Sequence, residues 1–131
     1  MIAIVGTDAP LLPHQCMALA RRVTLGIART GTTGSHFSGD LFLAFSTGNP
    51  GAFTPGGDVM LGEAAEGYDQ LRFVPWGYIN PFYAAVVQAT EEAVANALVA
   101  NEEMTGRDGH RSPALPRDRV AELFREWRRP G

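Results

Sequence analysis

Ser38 and Asp40 are the residues whose types and spacing hold the most chemical promise. They sit two positions apart at the entry to the apolar run Leu41-Phe-Leu-Ala-Phe45. In extended backbone, residues i and i+2 project to the same side. A hydroxyl beside a carboxylate can orient and polarise a neighbouring amine or nucleophile. The same pair also fits a loop serine and a strand-start aspartate that bonds its own backbone. On spacing alone this second, plainer reading is preferred.

The other chemically capable residues have plainer readings. Gly31-Thr-Thr-Gly-Ser-His-Phe-Ser-Gly39 has the small, polar composition of a phosphate loop. Such a loop follows a strand, opens a helix and ends in Gly-Lys-Ser/Thr; this one follows a helix, opens a strand and has no lysine. His14, His36 and His110 have no metal-ligand spacing and read as free surface or loop histidines. Cys16 falls on an apolar helix face, as a small buried hydrophobe would. Arg107-Asp-Gly-His-Arg111 fits an anion site or, more simply, a solvated turn. Asp8 can line a site after the first strand or cap a turn.

Few elements are needed to position these residues. Ile2 to Thr7 is apolar and β-branched, and reads as a buried strand. Pro13 suits the first turn of a helix. From there to about Arg29, Cys16, Leu19, Ala20, Val23 and Ile27 fall on one face of a single expected helix, with Gln15, Arg21, Arg22 and Arg29 mainly elsewhere. Gly31 stops it. Asp40 to Ser46 reads as a second buried strand. Residues 47–57 are turn-rich and expected to be exposed, and Gln70 to Val74 is a candidate extended segment. Asn80 reads as an N-cap with Pro81 in the first turn of a long helix, Phe82 to about Glu103. The first half of that helix is apolar nearly all round, which predicts burial between layers. Residues 105–115 read as a loop. Val120, Leu123, Phe124 and Trp127 stripe a last helix over Arg117 to about Arg128. The order β-α-β-(irregular)-α-α predicts an α+β unit, a single domain over 1–131, with no internal repeat.

Composition removes several function classes. The chain has 131 residues, 45% hydrophobic and 19% charged, as in an ordinary globular protein. Its net charge of −3 lacks the basic excess of a nucleic-acid binder. All its basic residues other than histidine are Arg, so it offers no lysine for a Schiff base. One Cys permits neither an internal disulfide nor a cysteine zinc cluster. No apolar run reaches the ~18 residues of a membrane span, and Met1–Gly6, without a basic leader or cleavage box, is not expected to act as a signal peptide. No cofactor, metal, nucleic acid or membrane is expected, and the cytoplasm is the default compartment. The chain opens directly on a strand, where free domains usually begin with loose residues. With so few strands a sheet edge would lie exposed. Both features predict that a partner polypeptide completes the fold.

Several segments together carry a resemblance: Thr7-Asp-Ala-Pro-Leu-Leu-Pro-His-Gln15, Arg29-Thr-Gly31, Ser38-Gly-Asp-Leu-Phe-Leu-Ala-Phe-Ser-Thr47, Asn80-Pro-Phe82, Ala89-Thr-Glu-Glu-Ala93 and Thr105-Gly-Arg-Asp-Gly109. In order, they resemble the C-terminal, β-subunit part of the L-aminopeptidase/D-esterase family, which includes β-peptidyl aminopeptidases and pantetheine-cleaving hydrolases. The resemblance is weakest over 48–75 and after 120. It implies a precursor that cuts itself into α and β chains, with a new N-terminal Ser or Thr as nucleophile and its amine as base. It also implies a four-layer αββα sandwich similar to N-terminal-nucleophile hydrolases, completed by an α chain, and oligomers of αβ pairs. The α chain would bring an oxyanion-hole Asn, an acidic group for the substrate amine, and a Tyr. The nucleophile would immediately precede Met1, which has no hydroxyl of its own, so this chain alone is expected to be inactive. Ser38 matches the family hydroxyl near the nucleophile's amine, Asp40 an acidic position two residues on (Glu in some members), and Gly39 would keep the backbone close to the nucleophile and substrate. The implied substrates are small peptides or peptide-like amides, with a pantetheine-type amide as an alternative; an inactive fragment or structural partner subunit is the rival reading.

Overall fold

The computed structural model describes residues 1–37, 39–52 and 70–128. Two strands, β1 (Ile2–Thr7) and β2 (Leu41–Ser46), pair in parallel with Ile2 opposite Leu41 and Thr7 opposite Ser46. Parallel neighbours need a crossover, supplied here by the helices α1 (Pro13–Ala20) and α2 (Val23–Arg29). The single helix expected over 13–29 is thus two. Arg21 and Arg22 keep right-handed helical backbone, but the Arg22 amide reaches the Leu19 carbonyl, three residues back, at 2.9 Å. That tighter turn interrupts the α ladder. The apolar face survives the break: Cys16, Leu19, Val23 and Ile27 are all buried.

Gln15, placed off that face by periodicity, is fully buried. Its amide nitrogen donates to the Val74 carbonyl at 2.6 Å, and its Oε1 accepts from the Leu12 amide at 3.0 Å. A buried amide side chain is stable only when so satisfied. The Gln70–Val74 stretch forms no strand and is held as coil. The Val74 amide donates to the Pro10 carbonyl (3.0 Å), while the Asn49 side chain brackets the Arg72 amide and carbonyl at 2.8 and 3.0 Å. Of the 47–57 stretch expected to be exposed, residues 53–57 lie outside the described residues; within 47–52, Thr47, Pro50 and Gly51 are exposed, while Asn49, Ala52 and Gly48, which packs against the Ala9-Pro10 backbone, are partly covered.

After a 3₁₀ turn at Trp76–Tyr78, α3 spans Asn80–Ala100. Ile79, not Asn80, is its N-cap, and no side chain caps it. Helix α3 runs beside α2 in the same direction. Arg22 sits 3.8 Å over the Tyr83 ring, Gly26 packs into Val87 and Thr90, and Arg29 pairs with Glu91 at 2.9 Å. Only this one side of α3 is covered: Val86 and Thr90 are buried, while Ala84, Ala85 and Ala89 are exposed, contrary to the expected burial between layers.

The 105–115 loop is a small hairpin: β3 (Met104–Thr105) and β4 (Arg111–Ser112) pair antiparallel around a turn in which Asp108 has φ 58° and Gly109 φ 76°. Helix α4 (Arg117–Trp127) follows. Its Val120, Leu123, Phe124 and Trp127 stripe forms as expected but stays largely uncovered, Trp127 being 81% exposed.

The same asymmetry marks the sheet. Ala3, Val5, Phe42 and Ala44 face the helices and join the core around Leu19 and Val23. On the opposite face Ile2 is 76% and Ile4 63% exposed, with Leu41, Leu43 and Phe45 beside them. The strands expected to be buried are therefore covered on one face only, because all the packed helices lie on that side.

Candidate active site

The head of the sheet brings Asp40 to the start of β1. Its Oδ1 lies 2.8 Å from the Met1 nitrogen, and the Gly39 carbonyl accepts from that nitrogen at 3.1 Å. The second contact is a rung of the parallel ladder: the Leu41 amide returns to the Met1 carbonyl at 3.0 Å, so Met1 bridges residues 39 and 41 as parallel pairing requires. The register set by Ile2 and Leu41 then puts Met1 opposite Asp40. A Cβ built on Gly39 meets nothing within 4 Å. Ser38, the other half of the sequence pair, lies outside the described residues.

A cleft of about 580 Å³ opens at this point. One wall is α2 (Thr24, Ile27, Ala28), another the loop after it, and Met1, Gly39 and Asp40 close the end. The loop's hydroxyls are partly committed. Thr30 Oγ1 donates to the Ile27 carbonyl at 2.7 Å, Thr32 Oγ1 accepts from the Gly34 amide at 3.1 Å, and Ser35 Oγ accepts from the Phe37 amide at 3.3 Å. These local bonds hold the loop's shape. Gly31 (φ 99°) and Gly34 (φ 85°) supply the left-handed residues that its turns require. The Phe37 ring lines the cleft and lies 3.9 Å from the His36 ring. Asp40 is half-exposed, so its contact with the Met1 nitrogen is one of position more than of stability.

The remaining sequence candidates stand apart from this cleft. His14 packs its ring 5.4 Å from Trp76, His110 closes the β3–β4 turn, and Arg111 pairs with Glu103. Asp8 is exposed beyond the far end of β1. Cys16 is buried, and burial pushes its thiol pKa up. Among the described residues, no three His, Cys, Asp or Glu side chains gather as a metal site would need, and no helix is long and apolar enough to cross a membrane.

Periodicity gave no sign of Ser46. Its hydroxyl donates to the Ala9 carbonyl (2.5 Å) and accepts from the Leu11 and Gly48 amides (3.3 and 3.1 Å). One polar residue closing an apolar strand thereby ties β2 to the Thr7–Gln15 segment. Its position at the end of the run Leu41-Phe-Leu-Ala-Phe45 was the available signal.

The comparison that decides the family covers both strands, the cleft and α3: residues 1–112 match the model of Peptidase family S58. The chain belongs to peptidase family S58. Among curated relatives, Beta-peptidyl aminopeptidase BapA of Sphingosinicella microcystinivorans is 39% identical over 129 residues, 98% of this chain and 30% of that protein. The solved beta-aminopeptidase of Burkholderia sp. superposes with TM-score 0.80 at 37% identity, over 98% of this chain and 35% of that one. The l-aminopeptidase d-ala-esterase/amidase of Ochrobactrum anthropi, described as a new variant among the Ntn hydrolase fold, gives TM-score 0.78 at 36% identity, over 96% of this chain and 33% of that one. The α+β reading and the N-terminal-nucleophile-hydrolase-like sandwich therefore hold, this chain forming a sheet and the helices on one side of it. The S58 chain spans about a third of the length of these relatives.

Proposed function

We propose that this chain is the β-subunit portion of a self-processing aminopeptidase-type hydrolase that cleaves amides of small peptides or peptide-like molecules through an acyl-enzyme. The observation that carries the reading is the place of Met1: its nitrogen donates to the Gly39 carbonyl (3.1 Å) as a rung of the parallel ladder, at the mouth of the cleft and opposite Asp40. A residue joined to that nitrogen falls, by the register, opposite Gly39. Gly39 has no side chain to crowd it, and the hydroxyl-rich loop lies alongside.

A Ser or Thr there has the setting of an N-terminal nucleophile. Its hydroxyl oxygen attacks the scissile carbonyl, its proton passes to the nucleophile's own α-amino group and then to the leaving amine, and water later releases the acyl group. Asp40, one position along the register, places a carboxylate beside the nucleophile, and Ser38 steadies the attacking amine. An α subunit from the same precursor supplies the rest of the pocket, and αβ pairs assemble further.

The test is amide turnover by the completed protein, with a Ser or Thr before Met1 and the α portion present. Asp40→Ala and Ser38→Ala each lower kcat by at least about tenfold, less than the roughly 10²–10⁴-fold of a group that itself transfers the proton, while circular dichroism stays unchanged. Full turnover by either variant sinks the assignment. A completed protein with no amidase activity makes the chain a structural subunit instead.

A further inference from the structure

Phe37 is a large apolar side chain that the core does not use. It is 75% exposed and lines the cleft beside Asp40. From its place there we infer that Phe37 sets specificity. It selects substrates whose acyl group carries a neutral apolar side chain, branched or aromatic, over those with a small or an acidic one. The inference rests on the reading of this cleft as the amidase site and names the acyl group that the site takes.

Distance along the chain supplies the first argument. Phe37 stands two residues before Gly39, which keeps their α-carbons within about 7 Å of each other. The nucleophile falls opposite Gly39 by the register, one strand spacing or about 4.8 Å away. In the acyl-enzyme the acyl side chain hangs only a few bonds from the nucleophile's oxygen. A ring at position 37 is within reach of that side chain. It stays so through both halves of the reaction, while the leaving amine departs after the first.

The surroundings of the ring supply the second argument. Ile27 and Ala28 continue its apolar surface along the α2 wall. The Phe37 amide donates to Ser35 Oγ at 3.3 Å and the ring packs on His36, so backbone and ring are both placed. A volume of about 580 Å³ lies inside the usual range of small-molecule sites, about 300–1,000 Å³. Charge then decides against acidic groups. Among the described residues that line the cleft, Asp40 is the only ionisable side chain. Arg29, at the end of α2, is drawn away to Glu91 on α3 at 2.9 Å. A carboxylate on the acyl side chain would meet Asp40 and no cation, and an unpaired charge taken out of water is penalised heavily.

The experiment uses the completed protein, with a Ser or Thr before Met1 and the α portion present. It measures kcat/KM for the p-nitroanilides of leucine, glycine and glutamic acid (through its α-carboxyl). Leucine exceeds each of the others at least tenfold, since even one methylene in an apolar pocket is worth about 10–200-fold. Phe37→Ala lowers the leucine-to-glycine ratio at least tenfold, and Phe37→Leu, which keeps an apolar bulk, restores most of it. The ratio is the readout because a general disturbance of the fold lowers all three rates together. Phe37→Gln gives the same drop and takes the place of Phe37→Ala should that variant not fold. An unchanged ratio overturns the inference, as does a parent protein that prefers glycine or glutamic acid. Equal loss of all three rates with loss of the α portion makes Phe37 an interface residue and overturns it too. If the completed protein cleaves no amide, the catalytic reading fails by itself, and calorimetry with leucinamide and glycinamide decides the rest. Tighter binding of leucinamide that Phe37→Ala abolishes upholds the inference; equal or absent binding overturns it.

Discussion

Gly26 is the point where α2 and α3 come closest, and Gly26→Ala tests whether that approach holds the cleft wall in place. A Cβ at position 26 would lie 2.5 Å from Thr90 Cβ, 2.7 Å from the Val87 carbonyl oxygen and 2.9 Å from Thr90 Cγ2. Carbon atoms in contact prefer roughly 3.5–4.0 Å, so the helices must part by about 1 Å. The two nearest atoms belong to backbone or to a Cβ and cannot swing aside. Over-packing of this kind costs about 1–3 kcal/mol, and the absence of a movable atom argues for the upper end. Alanine in place of glycine returns about 1 kcal/mol of helix propensity. The net expectation is a loss of about 2 kcal/mol, opposite in sign to the same substitution on an open helix face. With a urea m-value of about 2 kcal/mol/M, the unfolding midpoint falls by about 1 M. Thr90→Ala in the Gly26→Ala background removes only Cγ2 and the hydroxyl, so it restores little; Thr90→Gly restores more by removing the Cβ. A Gly26→Ala chain as stable as the parent would refute the close crossing. Because Thr24, Ile27 and Ala28 of α2 line the cleft beside Asp40, the amide turnover proposed for the completed protein should also fall.

Gln15→Leu keeps the volume but strands the Leu12 amide and the Val74 carbonyl, both part-buried. It should cost about 2–6 kcal/mol, at about 1–3 kcal/mol per unsatisfied group, and urea unfolding checks this; a neutral result would mean that water reaches both groups. Cys16, buried and with its thiol pKa raised by that burial, holds less thiolate than a free thiol at any pH near 8. It should resist iodoacetamide in the folded chain and react promptly in urea, as mass spectrometry would show; equal rates in both states would contradict its burial.

Much of this protein was written locally. The spacing of Cys16, Leu19, Val23 and Ile27 fixed which helix face is apolar, since 3.6-residue periodicity needs no partner to be read. The apolar runs Ile2–Thr7 and Leu41–Ser46 marked both strands, and the Ser38-Gly39-Asp40 segment before the second run marked the candidate site. Tertiary structure decided the rest. Periodicity states that a face is apolar, not whether anything covers it, so the bare faces of Ile2, Leu43 and Trp127 could not be foreseen. Gln15 looked like a surface residue until Val74, brought close by the fold, accepted its bond. The contact of Asp40 with the Met1 nitrogen arises from a parallel register across a two-helix crossover. A register joins residues far apart in sequence, and only the packing of α1 and α2 against the sheet can set it.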